Sequence, residues 1–245
     1  MTLRTILGFV ALCAALAVSG CGGAGGSNST GQQTAGAGTS AEPDLLRQYE
    51  ALAAAGGKVI RLDPAESVVR IYAFRAGAAA KVGHNHVLSA PRFVGFYYSP
   101  PPGSGPGRFD LEFRLDELVI DEPAYRATLG TAFATKLSPE AIQGTQDHML
   151  GEDNLQAGRY PFVRVKSIEI LGESPKFMAT VEISMHGQRR QLLVPLTVKG
   201  LPDHLEVSGS FAIRQTDFGA KPYSVMGGLI AVLDEVFIEF TLKGN

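Results

Sequence analysis

The chain has 245 residues and a net charge of -2 at pH 7, with 22 Lys and Arg against 24 Asp and Glu. This balance argues against a nucleic-acid-binding protein, which normally carries an excess of positive charge. A hydrophobic fraction of 45% excludes a chain that is disordered throughout. The two cysteines are Cys13 and Cys21, so the rest of the chain cannot form a disulfide or a thiolate zinc site.

The first 20 residues are predicted to be an export signal. Arg4 precedes an apolar run over residues 6–18. The run is shorter than a transmembrane helix, which needs about 20 residues, and its length is typical of a secretory signal. The run ends in LAVSGC, which resembles the bacterial lipoprotein box, so Cys21 is predicted to carry the lipid anchor. An ordinary signal peptide cleaved near Gly20 is the alternative. Residue 22 is Gly, which favours the outer membrane in a Gram-negative cell, and we expect the protein on the periplasmic face of the cell envelope.

The mature chain is predicted to begin with a tether. Residues 21–41 comprise the lipidated cysteine and an uncharged Gly- and Ser-rich linker, which has too little apolar surface to fold. Residues 42–57 read as a short helix, because Pro43 suits a first turn and Leu45, Tyr49 and Leu52 recur at helical spacing. Residues 58–245 are then predicted to form one domain.

Most of this domain is predicted to be antiparallel sheet. Apolar and polar residues alternate over 109–116, 177–185, 205–213 and 235–242, and more weakly near residues 69–73, 163–165 and 192–198. Period-two alternation gives each strand one apolar and one polar face, as in antiparallel sheets. The aromatic run at residues 96–98 is interpreted as strand core. About eight amphipathic strands predict a closed barrel.

A helical insertion is predicted within the sheet. Residues 123–133 read as one helix and residues 138–150 as a second, with Ser138 as its N-cap and Pro139 in its first turn.

The sequence lacks the common catalytic templates. It contains no GxSxG, HExxH, phosphate-binding glycine loop or dinucleotide fingerprint, so we expect neither an enzyme nor a cofactor. His84 and His86 lie two residues apart, which puts both imidazoles on one face of an extended segment and could bind a metal with His148 as third ligand. The alternative is that these histidines hydrogen-bond backbone groups in a glycine-rich turn.

Four segments resemble the YceI family. They are QDHML at residues 146–150, EDNLQAGRYPFVRVKS at 152–167, EISMHGQRR at 182–190 and IRQTDFG at 213–219. Their order and spacing agree with the family over roughly residues 58–243. The chain departs from the family pattern at Asn154 and Leu155, at residues 188–190, and in the region of residues 84–86 and 123–140. These departures affect the expected ligand and pocket mouth more than the fold.

The resemblance implies an all-β, eight-stranded antiparallel lipocalin-like barrel with a short helical insertion. It also implies that a long amphiphile, notably a polyisoprenoid, binds inside the barrel for sequestration or transport. Apolar inward faces are compatible with such a ligand, because burial of its chain is favourable. The predicted interior ligand-binding residues are Val69, Ile71, Leu111, Phe113, Val165, Val181, Ile183, Phe211, Ile213, Val236, Ile238 and Phe240.

Two alternatives to lipid binding stay open at this stage. One is a metal-binding envelope protein that uses His84 and His86, and the other is a structural barrel filled by its own side chains. The predicted partners are a hydrophobic lipid and, through Cys21, the membrane, without nucleic acid. His186, Arg214 and Asp217 are interpreted as architectural, with a local ion pair or turn bond expected between Arg214 and Asp217.

Overall fold

A computed structural model describes residues 39–245. The predicted signal, Cys21 and almost all of the predicted linker lie outside the described residues. Within residues 39–245, no helix is both long and apolar enough to cross a membrane.

The first described helix, α1 (Glu42–Ala54), lies against the outside of the sheet. Its start is held by Glu112, whose carboxylate accepts hydrogen bonds from Ser40 Oγ at 2.6 Å and from the Ala41 amide at 2.9 and 3.0 Å. Tyr49 is fully buried, stacks on Phe96 with ring centroids 5.1 Å apart and donates to Asp110 Oδ2 at 2.7 Å. One side of α1 is therefore tied to the sheet by both polar and apolar contacts.

The remaining chain is dominated by strands. They are β1 (Lys58–Arg61), β2 (Val68–Ala76), β3 (His86–Ser89), β4 (Val94–Ser99), β5 (Arg108–Arg114), β6 (Val119–Ile120), β7 (Phe162–Glu173), β8 (Lys176–Met185), β9 (Gln188–Lys199), β10 (Leu205–Arg214), β11 (Ser224–Val225) and β12 (Ile230–Gly244). The alternating segments of the sequence become β5, β8, β10 and β12. The long strands β7 and β9 contain the weaker alternating segments.

All strand pairings are antiparallel and belong to one curled sheet. The order is β1-β4-β5-β7-β8-β9-β10-β12-β2-β3-β6, with β11 paired to β12. A bridge between Leu62 and Gly244, and a hydrogen bond of 2.8 Å from the Asp63 amide to the Lys243 carbonyl, join the end of β12 to the residues that follow β1. The apolar faces of the strands therefore surround a common interior.

The predicted count of eight strands is not matched, because the sheet has 12 strands. Part of the difference comes from interrupted strands. Residues of β2 and the bridge at Leu62 both lie along β12, while β3 pairs with β2 and β4 pairs with β1. Several short strands, which the alternation pattern does not separate from their neighbours, are therefore counted individually.

The helical insertion is only partly as predicted. Helix α3 (Pro139–Leu150) follows the predicted N-cap, and Ser138 Oγ accepts from the Ala141 amide at 3.2 Å. The predicted helix over residues 123–133 is wrong, because α2 (Pro123–Arg126) is four residues long and a separate 3₁₀ turn spans Thr131–Phe133. Gly130 lies between them with φ of 75°, a left-handed conformation that an α-helix cannot contain.

Candidate ligand-binding cavity

The sheet encloses a cavity of about 630 Å³. This volume is within the usual range of roughly 300–1,000 Å³ for small-molecule sites. Each of the predicted interior residues lines it, namely Val69, Ile71, Leu111, Phe113, Val165, Val181, Ile183, Phe211, Ile213, Val236, Ile238 and Phe240. Period-two alternation therefore selects residues that share one concave surface.

The lining is almost entirely apolar. No Asp, Glu, Lys or Arg of the described chain contributes to it, and most members are Val, Leu, Ile, Phe or Met. The members with polar side chains are His86, Tyr97, Thr145, His148, Asn154, Gln215 and Tyr223. Such a surface can bury a hydrocarbon chain and offers it few hydrogen-bonding partners.

The polar members are not evenly distributed along the cavity. Helix α3 supplies Thr145 and His148 at one end, which we call the α3 end, where β8 and β10 finish and β3 and β12 begin. The opposite end, the far end, contains apolar cross-strand neighbours such as Phe177 with Leu196 and Val207 with Leu242. The cavity is therefore amphipathic along its length.

Helix α3 forms one side of the α3 end through small and flexible side chains. Ala141, Gly144 and Met149 line the cavity beside Thr145 and His148. A Cβ added to Gly144 would meet no atom within 4 Å, so the helix is not tightly packed at this position. His148 contacts Tyr223 edge-on with ring centroids 4.5 Å apart, which joins α3 to the segment before β11.

Asn154, one of the departures from the family pattern, also belongs to this end. Its side chain lines the cavity, is buried and donates from Nδ2 to the Lys221 carbonyl at 2.9 Å. The bond joins the segment after α3 to the segment before β11. The α3 end is therefore connected to the segment before β11 by a hydrogen bond as well as by the contact between His148 and Tyr223.

A buried ionic network lies behind His86. His86 Nδ1 is 2.6 Å from Asp121 Oδ2, and the other carboxylate oxygen accepts from the Val87 amide at 3.0 Å and from Arg126 Nη1. Arg126 Nη1 also donates to the Asn85 carbonyl at 2.7 Å. Burial raises the pKa of Asp121, but its hydrogen bonds with His86 and the Val87 amide and the charge of Arg126 outweigh that effect and lower the pKa below its usual value.

The three candidate metal ligands do not come together as a metal site. His86 is held by Asp121, and His148 contacts Tyr223. His84 does not line the cavity, and its Nδ1 is buried without a hydrogen-bond partner in residues 39–245. Burial is the largest cause that lowers the pKa of His84, and the charges of Arg126 and Arg75 act in the same direction. No group of three or more His, Cys, Asp or Glu side chains in the described part of the chain could hold a metal ion.

Residues of the later motifs make turn contacts. His186 Nδ1 lies 2.9 Å from the Phe218 carbonyl, and Gly187 and Gly219 have φ of 72° and 75°. The expected ion pair between Arg214 and Asp217 is wrong, because Arg214 Nε lies 3.3 Å from Glu235 across the β10–β12 pair. Asp234 makes the local turn bonds instead, accepting from the Thr216 amide at 2.9 Å and from the Thr216 hydroxyl at 2.5 Å.

Several residues of the α3 end could not be assigned from the sequence. Gly144, Thr145, Gln215 and Tyr223 lie in the helical insertion or in turns, where no period-two pattern marks an inward face. Asp121 and Arg126 are five residues apart and carry no local motif. The motif GHNH at residues 83–86 is the one local signal for this region, and it is compatible either with a metal site or with backbone hydrogen bonds in a turn.

Comparison with known proteins agrees with this architecture. BcnA of Burkholderia cenocepacia has 18% sequence identity to the chain and a TM-score of 0.53, over 75% of this chain and 99% of that protein. The YCEI protein of Campylobacter jejuni has 12% identity and a TM-score of 0.41, over 63% of this chain and 83% of its own. The likeness to BcnA shows the fold alone.

No curated protein matches the sequence. The model of the YceI-like domain matches residues 109–244, which is more than half of the chain. The match includes α3, the long strands β7–β10 and β12, and most of the cavity wall. The chain therefore belongs to the YceI-like family.

Proposed function

We propose that the protein binds a long hydrophobic amphiphile of the isoprenoid type inside the cavity, for sequestration or transport. The observation that carries the proposal is the cavity of about 630 Å³, lined by the apolar faces of the curled sheet and by no charged side chain of the described residues. A chain of isoprene units would gain about 25 cal/mol for each Å² of apolar surface that it buries there. The polar head would lie at the α3 end.

The two alternatives have less support. A barrel filled by its own side chains should leave no room for a ligand, whereas these side chains leave a cavity of about 630 Å³. A metal site at His84 and His86 would require further ligands, and the described residues supply no cluster of three.

The test is extraction of the purified protein with organic solvent, followed by mass spectrometry, in the wild type and in two tryptophan variants. Val181→Trp places an indole in the cavity, and Thr180→Trp places the same group on the opposite face of β8. The native chain has no Trp, so both variants can also be followed by fluorescence.

We expect wild type and Thr180→Trp to carry an apolar lipid and Val181→Trp to carry roughly tenfold less. A tenfold decrease corresponds to the loss of about 1.4 kcal/mol of favourable burial of the lipid chain. Equal lipid content in the two variants would contradict binding inside the cavity. A lipid-free wild type that gains no stability from added polyprenol would contradict the function itself.

We further propose that the protein is exported and held on the periplasmic face of the envelope by lipid on Cys21. The support is the sequence of residues 1–21. Metabolic labelling with palmitate should mark the wild type and leave Cys21→Ser unlabelled, and Cys21→Ser should leave the membrane fraction. Membrane retention of an unlabelled Cys21→Ser protein would contradict the anchor.

A further inference from the structure

His86 interrupts an otherwise apolar ring of the cavity wall. It pairs with Ala73 of β2, Ala73 pairs with Val236 of β12, and Val236 pairs with Ile213 of β10. All four residues line the cavity. The imidazole is thus placed where the long apolar wall meets the polar side chains of the α3 end.

The protonation pattern of the imidazole is set by Asp121. This carboxylate is fully buried, and its partners stabilise the ionised form, which can only accept hydrogen bonds. The proton of the 2.6 Å bond therefore lies on His86 Nδ1. Arg126 already balances the charge of Asp121. The ring therefore need not be charged, and the other nitrogen, Nε2, of the neutral ring is a hydrogen-bond acceptor. Nε2 has no hydrogen-bond partner within residues 39–245.

Among the described residues, the wall of the cavity offers no cation to a ligand. Arg126 does not line the cavity, and its guanidinium is used by the Asp121 carboxylate, by the Asn85 carbonyl at 2.7 Å and by the Thr135 carbonyl at 3.3 Å. No Lys or other Arg of the described residues lines the cavity. A phosphate or carboxylate head would lose its hydration without gaining a counter-charge, which is unfavourable.

We propose that His86 is a head-group binding residue, whose Nε2 accepts a hydrogen bond from the hydroxyl of a long-chain alcohol, so that the cavity selects the neutral alcohol over its phosphate ester. The inference rests on the proposed function and adds the chemistry of the head group to it. Asp121 acts as the positioning residue, because it orients the ring and keeps the proton on Nδ1.

The test compares three ligands that share one C20 isoprenoid chain: geranylgeraniol, the hydrocarbon without the hydroxyl, and geranylgeranyl phosphate. Each is titrated into delipidated protein, purified as the cell processes it, against a displaceable fluorescent fatty probe. We expect the wild type to bind the alcohol roughly three- to tenfold more tightly than the other two, the range that one net hydrogen bond gives.

His86→Leu should bind the alcohol and the hydrocarbon with equal affinity. His86→Gln, which keeps a side-chain acceptor, should retain part of the preference. Thr145→Val is the comparison variant: it removes a different hydrogen-bonding group from the same end of the cavity, and it should keep the preference if His86 accepts the hydrogen bond.

The outcomes separate the two proposals. Tightest binding of the phosphate, or an alcohol preference that persists in His86→Leu, would overturn the role of His86 while lipid binding stands. Binding of none of the three ligands by the wild type would overturn the proposed function and this inference with it. The wild-type comparison needs no variant, so it decides the head-group preference even if His86→Leu does not fold.

Discussion

The two ends of the cavity are formed by different kinds of secondary structure. At the far end, every lining side chain comes from a strand or its adjoining turn, and the hydroxyl of Tyr97 lies toward Gly107 at the rim. At the α3 end, a helix and two turns contribute Thr145, His148, Asn154 and Tyr223 to the same surface. The periodic sheet supplies most of the apolar wall, and the inserted helix and turns supply most of the polar groups.

The two ends also differ in what stabilises them. The far end depends on apolar packing of neighbours such as Phe177 and Leu196. The α3 end depends on a buried network centred on Asp121, in which one carboxylate satisfies a backbone amide, an imidazole and a guanidinium. Packing tolerates changes of shape better than a buried network tolerates the loss of one member.

The largest effect should follow from removal of the centre of that network. Asp121→Ala leaves Arg126 buried without its carboxylate, so the free energy of unfolding should fall by about 3–5 kcal/mol. Urea denaturation measures it. Asp116→Ala is the control, because the Arg114–Asp116 pair is 40% and 45% exposed and such a pair contributes at most about 1 kcal/mol. Similar losses in the two variants would mean that the network does not stabilise the α3 end.

A polar substitution at the far end should have the next largest effect. Leu196→Asn exchanges a buried leucine of the cavity wall for an amide without a partner, and we expect a loss of about 2–4 kcal/mol in urea denaturation. Leu193→Asn, on the same strand at 64% exposure, should change stability by less than about 0.5 kcal/mol. If Leu196→Asn were equally harmless, the far end would not need to be apolar.

Acid should weaken the α3 end selectively. The pKa of Asp121 is lowered from 3.8 in the folded protein, so its ionised form contributes stability above pH 3.8, and this contribution is lost as the pH falls through the folded value. The difference in unfolding free energy between wild type and Asp121→Asn should therefore shrink below pH 3.8. Asp116 and Asp234 also have lowered pKa values and remain in both proteins. A difference that stays constant down to pH 2 would contradict the assignment.

Metal should have the smallest effect. The described residues contain no group of three or more His, Cys, Asp or Glu side chains that could hold a metal ion, so we expect neither stoichiometric zinc nor a chelator to shift the melting temperature of the wild type. The reference is the double variant His84→Ala/His86→Ala, measured with and without zinc. Stoichiometric zinc binding by the wild type that the double variant loses would restore the metal hypothesis for this turn.

The apolar wall was predictable because its signal is local. In strands such as β8 and β10, alternation of two residue types determines which side chains point inward, and Val181, Ile183, Phe211 and Ile213 follow from it directly. The family resemblance adds the arrangement of these strands around a common interior.

The α3 end was less predictable because its contacts join distant parts of the chain. The pairing of His86 with Asp121 spans 35 positions, and the bond from Asn154 to Lys221 spans 67. The sequence pattern also favoured a continuous helix through Gly130, where the left-handed backbone divides α2 from the following turn. The motif GHNH marks this segment, but nothing local in the sequence indicates that Asp121 lies 2.6 Å from His86.

The contact between Leu62 and Gly244 has a consequence for the synthesis of the protein. The wall is completed when Leu62 and strand β2, which come early in the chain, pair with β12. This strand has 15 residues and follows all the other strands in the sequence. Such a distant pairing makes loop closure entropically costly and slow compared with hairpin formation. A nascent chain still lacking β12 can form the hairpins β7–β8 and β8–β9 but has no enclosed interior. A ligand therefore cannot be enclosed during elongation and must enter during or after the final closure.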